Sequence, residues 1–121
     1  FKGIVKKTIQ LLKKNGCSEK DMIACIGPCI KKNSYEVKND FLKLFKDKNK
    51  KNVNFFTFKK KKIYFDLSKY IKSQFYENGV KKIDIIRKDT FALENNFFSS
   101  RRSKKNKHND YGRNISAIMI K

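Results

Sequence analysis

The chain has 121 residues, inside the usual range for one domain and long enough to bury a core. Hydrophobic residues make up 39% of it and aromatics 13%, carried by Phe and Tyr, which argues against an intrinsically disordered chain. The formal net charge is +20, yet only four of the 31 basic residues are Arg (Arg87, Arg101, Arg102 and Arg113), whereas base reading favours Arg.

The lysines run along the whole chain together with abundant Asn, Ile and Phe, the mixture an AT-rich coding sequence writes. Solvated lysine faces are therefore favoured over a dedicated nucleic-acid surface. Salt-sensitive, nonspecific adhesion to polyanions is still expected. Cys17, Cys25 and Cys29 are odd in number and form no paired framework, which favours a reducing compartment and a cytoplasmic location. Cys25 and Cys29 are four apart and His108 is far downstream, which is no zinc-finger spacing. No apolar run approaches the ~20 residues a membrane span needs. The sequence opens at Phe1, so the natural start is expected upstream and a targeting signal is not readable here.

In chain order, Ile4, Val5, Thr8, Ile9 and Leu12 recur at helical spacing, with Lys6, Lys7, Gln10, Lys13 and Lys14 on the opposite face. Asn15-Gly16 ends that helix with a left-handed stop. Met22 to Ile26 reads as a buried strand closed by Gly27-Pro28. A second helix is predicted from about Val37 to Phe45. Val53 to Phe58 and Ile63 to Phe65 are predicted strands joined by a solvated turn at Lys59 to Lys62. Asp66 is placed to cap a third helix carrying Leu67, Tyr70, Ile71 and Phe75 inward, Asn78-Gly79 ends it, and Ile83 to Ile86 follows as a strand. Ser99 to Tyr111 is polar and charged, an exposed loop, and Ile115 to Ile120 is predicted as a closing strand. Helix, Asn-Gly, short link and strand thus occur twice, which predicts a layered α/β domain with a mixed sheet and no internal boundary.

Several local strings then fall in one order: IACIGPCI (Ile23 to Ile30), YEV (Tyr35 to Val37), FDL (Phe65 to Leu67), NGV (Asn78 to Val80), FFSSRR (Phe97 to Arg102) and Gly112-Arg113 before the apolar end. This series resembles the laccase-domain family, also known as multicopper polyphenol oxidase-like proteins, purine nucleoside phosphorylases or peptidoglycan editing factors. The similarity covers essentially residues 1–121, with FKGIV (Phe1 to Val5) similar to the helix after the family's His-Ala-Gly-Trp-Arg-Gly segment. The resemblance implies the C-terminal portion of a single laccase-like domain, an α/β fold incomplete at its N-terminus. Exposed sheet edges and marginal stability or association follow from that expectation.

The same resemblance implies phosphorolysis of adenosine, inosine and guanosine, with an adenosine deaminase activity and an older polyphenol oxidase label. Purine nucleoside and phosphate are the implied partners, without a specific nucleic acid or a membrane. It also implies zinc, or copper, held by two histidines and a cysteine upstream of this chain; none of Cys17, Cys25, Cys29 or His108 matches them. Ser100 stands where the family has Tyr, and Asp89-Thr90 where Cys-Thr is common.

No catalytic residue is assigned. For phosphate or substrate contact the candidates are Arg101, Arg102, Cys29, Tyr35 and Glu36. Guanidinium forks match phosphate geometry, or one of the pair fixes the loop through an internal carboxylate such as Glu36. Cys29 follows a Gly-Pro turn without an evident base nearby, so a structural thiol is favoured. Tyr35 and Glu36 either line the site or brace the turn after Pro28, Arg113 leans structural, and His108 reads as solvated. A lysine-rich nucleic-acid module and an inactive gene remnant stand as alternatives to the enzyme reading.

Overall fold

The computed structural model describes residues 3–118. The first helix, α1 (Ile4–Lys14), buries Ile9 and ends at Asn15, whose amide donates back to Leu11 and Leu12. The chain then enters β1 (Ile23–Ile26), whose Ala24 and Ile26 point into the core while Ile23 and Cys25 face out. The same sequence of helix and strand recurs in α3 (Leu67–Glu77) and β5 (Lys82–Ile85). β1 and β5 pair in parallel, Ala24 opposite Ile83 and Ile26 opposite Ile85, and α1 packs on α3.

Between these two units the chain builds a second layer. β2 (Glu36–Val37), β3 (Phe56–Lys59) and β4 (Lys62–Phe65) form an antiparallel sheet in the order β2-β4-β3, backed by α2 (Asn39–Lys48). The mixed α/β architecture is thus delivered as one parallel pair and one antiparallel triplet.

Two apolar clusters hold the layers. In one, Phe45, Phe56, Ile63, Phe65 and Tyr70 are buried, with Tyr35, Phe41 and Phe55 against them; in the other, Ile9, Ala24 and Val80. Helix α3 touches both, giving Tyr70 to the first and Phe75 to the second. Burial pushes the Tyr70 hydroxyl above its ordinary titration range. Asp66 caps α3 as the sequence predicts, its carboxylate accepting from the Lys69 amide at 2.9 Å. Gly79 follows with φ +89°, a left-handed conformation, and a Cβ there would meet Glu19 Cγ at 2.8 Å, so two constraints select glycine.

Several boundaries differ from the sequence-based expectation, some set by pairing across the fold and some by side-chain caps. The turn expected at Lys59 to Lys62 is only Lys60-Lys61, with Lys59 and Lys62 paired in the strands. Val37 lies in β2, paired with Ile63, so α2 starts at Asn39. Lys50–Phe55 winds as a 3₁₀ turn: the Asn49 side chain accepts from the Lys51 amide, and buried Asn52 donates to the Phe45 carbonyl, so a strand begins only at Phe56. A short helix, α4 (Ser100–Lys105), interrupts the exposed segment, capped by Ser99 Oγ. Residues 115–118 carry no strand, with Ile115 at 95% and Ile118 at 90% exposure; the remainder of that predicted strand lies outside the described residues. An apolar β-branched run becomes a strand only where a sheet edge pairs with it.

The β3–β4 hairpin turns through Lys60 (φ 48°) and Lys61 (φ 61°), two left-handed residues between the paired Lys59 and Lys62. Such turns favour Asn-Gly. Replacing Lys60→Asn with Lys61→Gly is expected to raise unfolding stability by about 1 kcal/mol in urea titration. Phe65, 1% exposed, is the opposite case: Phe65→Ala is expected to cost about 3–5 kcal/mol in the same measurement.

Candidate functional site: a cleft beyond the parallel strands

Beyond Ile26 and Ile85 the parallel register continues without regular strand. The Ile86 amide donates to the Ile26 carbonyl, Cys29 bridges to Asp89, and the Thr90 amide donates to the Cys29 carbonyl. The two outgoing loops therefore run side by side at the carboxyl ends of a parallel pair, a recurrent location for ligand sites in α/β sheets.

Asp89 fastens them. Its carboxylate accepts from the Lys31 amide (3.2 Å), the Ser34 hydroxyl (2.6 Å) and the Phe91 amide (2.9 Å). Its carbonyl accepts from the Asn95 side chain. Lys31 Nζ donates to the Ile86 carbonyl at 3.0 Å and lies 3.8 Å from Cys29 Sγ.

A third segment closes over these loops. The half-buried Arg102 guanidinium donates to the carbonyls of Thr90 (3.1 Å), Phe91 (3.0 Å) and Phe97. Neighbouring Arg101 points the other way, exposed, with its guanidinium carbon 5.4 Å from the centroid of the Tyr35 ring. Tyr35 itself rests edge-on against Phe65 at 5.8 Å.

Further along, Phe98 and Asn114 exchange two hydrogen bonds, the Phe98 amide to Oδ1 and Nδ2 to the Phe98 carbonyl. The Phe98 ring lies so close over Gly112 that a Cβ there would fall inside it. Arg113 stacks on Tyr111 with 4.4 Å to the ring centroid. Together with Ile30, Thr90, Ser99 and Ser100 these residues line an open cleft of about 400 Å³.

Of the residues singled out from sequence, the structure brings Arg101, Tyr35 and Arg113 to one cleft. Arg102 is turned into the loop carbonyls, fixing the loop through backbone oxygens and not through a carboxylate. Glu36 follows Tyr35 on β2 but ion-pairs with Lys62 at 2.9 Å, away from the cleft, and that bond raises the Lys62 ammonium above its ordinary range. Cys29 is half-buried beside Lys31 and is not part of the cleft lining. His108 is exposed on the segment after α4.

Sequence reasoning passed over Asp89, Ser99 and Asn114, whose polar atoms hold the loops. The only trace was Asp89-Thr90 itself, a pair that departs from the resembled pattern. Among the described residues no group of three or more His, Cys, Asp or Glu side chains could hold a metal ion, so the implied zinc or copper does not fit these residues. Among the described residues no helix is long and apolar enough to cross a membrane.

The adjacent arginines should separate in their effects. Arg102→Ala leaves several carbonyls without their charged donor and is expected to cost about 2 kcal/mol of stability. Arg101→Ala, at an exposed position, is expected to stay within about 0.5–1 kcal/mol. Parallel urea unfolding curves check the difference.

Residues 1–121 match the family model described as multi-copper polyphenol oxidoreductase laccase. The chain is 36% identical over 104 residues to a purine nucleoside phosphorylase of Rickettsia prowazekii and 38% identical over 105 residues to one of Rickettsia conorii. Each alignment covers 84% of this chain and 43% of the relative. A purine nucleoside phosphorylase of Aquifex aeolicus is 36% identical over 91 residues, 75% of this chain and 40% of its own length. The chain therefore spans less than half the length of the curated relatives it matches. With the match running through the ends of the parallel strands and the Arg101 cleft alike, the chain belongs to the multi-copper polyphenol oxidoreductase laccase family.

Proposed function

We propose that this chain is the substrate-side part of a purine nucleoside phosphorylase, with Arg101 as the phosphate-binding group. The reading is carried by one observation: of the two adjacent arginines, Arg101 alone keeps its guanidinium unspent on backbone carbonyls and holds it over Tyr35 at the mouth of a hydroxyl-lined cleft. A cation–π contact with Tyr35 does not consume the guanidinium donors, which leaves a fork matched to two phosphate oxygens. Ser99, Ser100 and Thr90 surround the same space and supply further donors.

Phosphorolysis requires a phosphate oxygen to attack the anomeric carbon of the ribose while the bond to the purine nitrogen breaks. The products are ribose 1-phosphate and the free base. In this scheme Arg101 lowers the cost of bringing the phosphate dianion to the cleft and orients it for attack. Arg102 and Asp89 act as positioning residues, holding the loops that carry the cleft. Arg113 is held by the Tyr111 ring and lies 3.7 Å from the Asp110 carboxylate, so its role is to shape the far wall.

Adenosine, inosine and guanosine are the proposed substrates, with deamination of adenosine as a second activity and a cytoplasmic setting. Metal dependence on zinc or copper rests on the family resemblance. The residues described do not provide its ligands.

The test uses the protein in its longest expressed form, with each nucleoside and inorganic phosphate. Free base and ribose 1-phosphate should accumulate together. Arg101→Ala is expected to raise the KM for phosphate about tenfold or more and to leave the KM for nucleoside within about twofold. An unchanged phosphate KM in that variant, or no base released from any of the three nucleosides, would sink the proposal.

A further inference from the structure

A second concavity, on the outer face of the β3–β4 hairpin, has a composition unlike the Arg101 cleft. Its volume is about 460 Å³ and it is lined by Lys32, Asn33, Thr57, Lys59, Lys60, Lys62 and Tyr64. Every one of these side chains is a hydrogen-bond donor, four are cations and none is an acid. The pleat explains how the sequence assembles it. Thr57 stands opposite Tyr64 and Lys59 opposite Lys62, so these four share one face of the ribbon. Of the alternate residues on the other face, Phe56, Ile63 and Phe65 are buried and Phe58 is exposed. Lys32 and Asn33 come from the loop after β1 and wall one side.

Two features of this hairpin run against the stability of the chain. Lys59 and Lys62 face each other directly across the strands, a like-charge pair that is unfavourable in a sheet. Lys60 and Lys61 hold left-handed φ values of 48° and 61°, where lysine has no intrinsic preference. Glu36 relieves Lys62 with an ion pair at 2.9 Å, while Lys32, Lys59 and Lys60 have no ion pair among the described residues. Local rules broken together at a concave place mark a site that is shaped for something besides folding. A ligand carrying linked negative charges would remove the repulsion and satisfy the donors at once.

We propose that this hairpin face is a binding site for a chain of linked phosphates, read through its charge and hydroxyl donors with no base selectivity. Nucleoside polyphosphates and the backbone of a single-stranded nucleic acid share that chemistry. The site is separate from the Arg101 cleft and does not depend on the phosphorylase reading. General adhesion of a highly basic chain predicts the same effect from any lysine; the hairpin site predicts an effect confined to these.

The experiment measures binding of a fluorescent oligothymidylate to the full chain across a salt series, and its displacement by inorganic tripolyphosphate. The variant Lys32→Gln/Lys59→Gln/Lys60→Gln is compared with Lys7→Gln/Lys14→Gln/Lys20→Gln, which removes the same charge from exposed positions elsewhere. The hairpin variant is expected to reduce the slope of log K against log salt by about 2, the loss of three single-strand phosphate contacts, and the control to leave it nearly unchanged. The Lys60→Asn/Lys61→Gly hairpin, in which the turn is relieved, should also weaken binding although its fold is more stable, which separates loss of the site from loss of structure. Displacement by tripolyphosphate at low micromolar concentration assigns the site to polyphosphate ligands. Binding confined to the oligonucleotide assigns it to the nucleic-acid backbone. Equal effects of the two triple variants, or no saturable binding of either probe, overturn the proposal.

Discussion

The ring of Phe65 is the point on which the rest of the molecule depends. It is 1% exposed and packs against Tyr35, Phe41, Phe45, Phe56 and Tyr70, joining the residue before β2 with β3, α2 and α3 in one aromatic cluster. The same residue ends β4, pairs with Phe56 across the hairpin and precedes the Asp66 cap of α3. Rings at edge-on or tilted angles contribute beyond the area they bury, and they fix the orientation of their neighbours. Tyr35 is one of those neighbours, and the Arg101 guanidinium carbon lies 5.4 Å from its ring centroid. The candidate phosphate-binding group thus sits next to a ring that is itself seated on the core.

The loops around that group are irregular, so their polar backbone atoms need partners other than a ladder. Two charged side chains supply them from opposite sides. Asp89 gathers amides and a hydroxyl from the segments after β1 and β5. Arg102 gathers carbonyls from 90, 91 and 97. One is an acceptor and the other a donor, and neither forms an ion pair with the other: Arg102 is spent on backbone carbonyls, Asp89 on two amides and the Ser34 hydroxyl. Such charge-assisted bonds are stronger than neutral ones and suit a site that must stay in one geometry. Arg101 and Arg102 show how adjacent identical residues divide labour when a short helix points them apart.

Charge elsewhere follows another logic. With +20 and few acids, most lysines are simply solvated. Lys62 with Glu36 and Lys13 with Glu19 are exposed pairs of small energetic weight. The hairpin stands apart because pairing register, not composition, puts Lys59 against Lys62 and collects the hydroxyls of Thr57 and Tyr64 on the same side.

The sequence by itself determined what a few neighbouring residues control. The first helix, the stops at Asn15-Gly16 and Asn78-Gly79 and the Asp66 cap depend on side-chain period and local backbone preference, and they stand where the pattern puts them. Of the stripe from Ile4 to Leu12 only Ile9 is buried, and the strand predicted from Met22 starts at Ile23 and buries alternate residues. The ordered strings from Ile23 to Arg113 were enough to reach the family. Only the tertiary structure decided that Val37 pairs as a strand, that residues 50–55 wind as a 3₁₀ turn, and that Arg102 is consumed by carbonyls while Arg101 is left over Tyr35. It also decided that Glu36 answers Lys62 and takes no part in the cleft. Most of these outcomes turn on which group from another part of the fold comes within reach, and spacing along the chain carries no record of that.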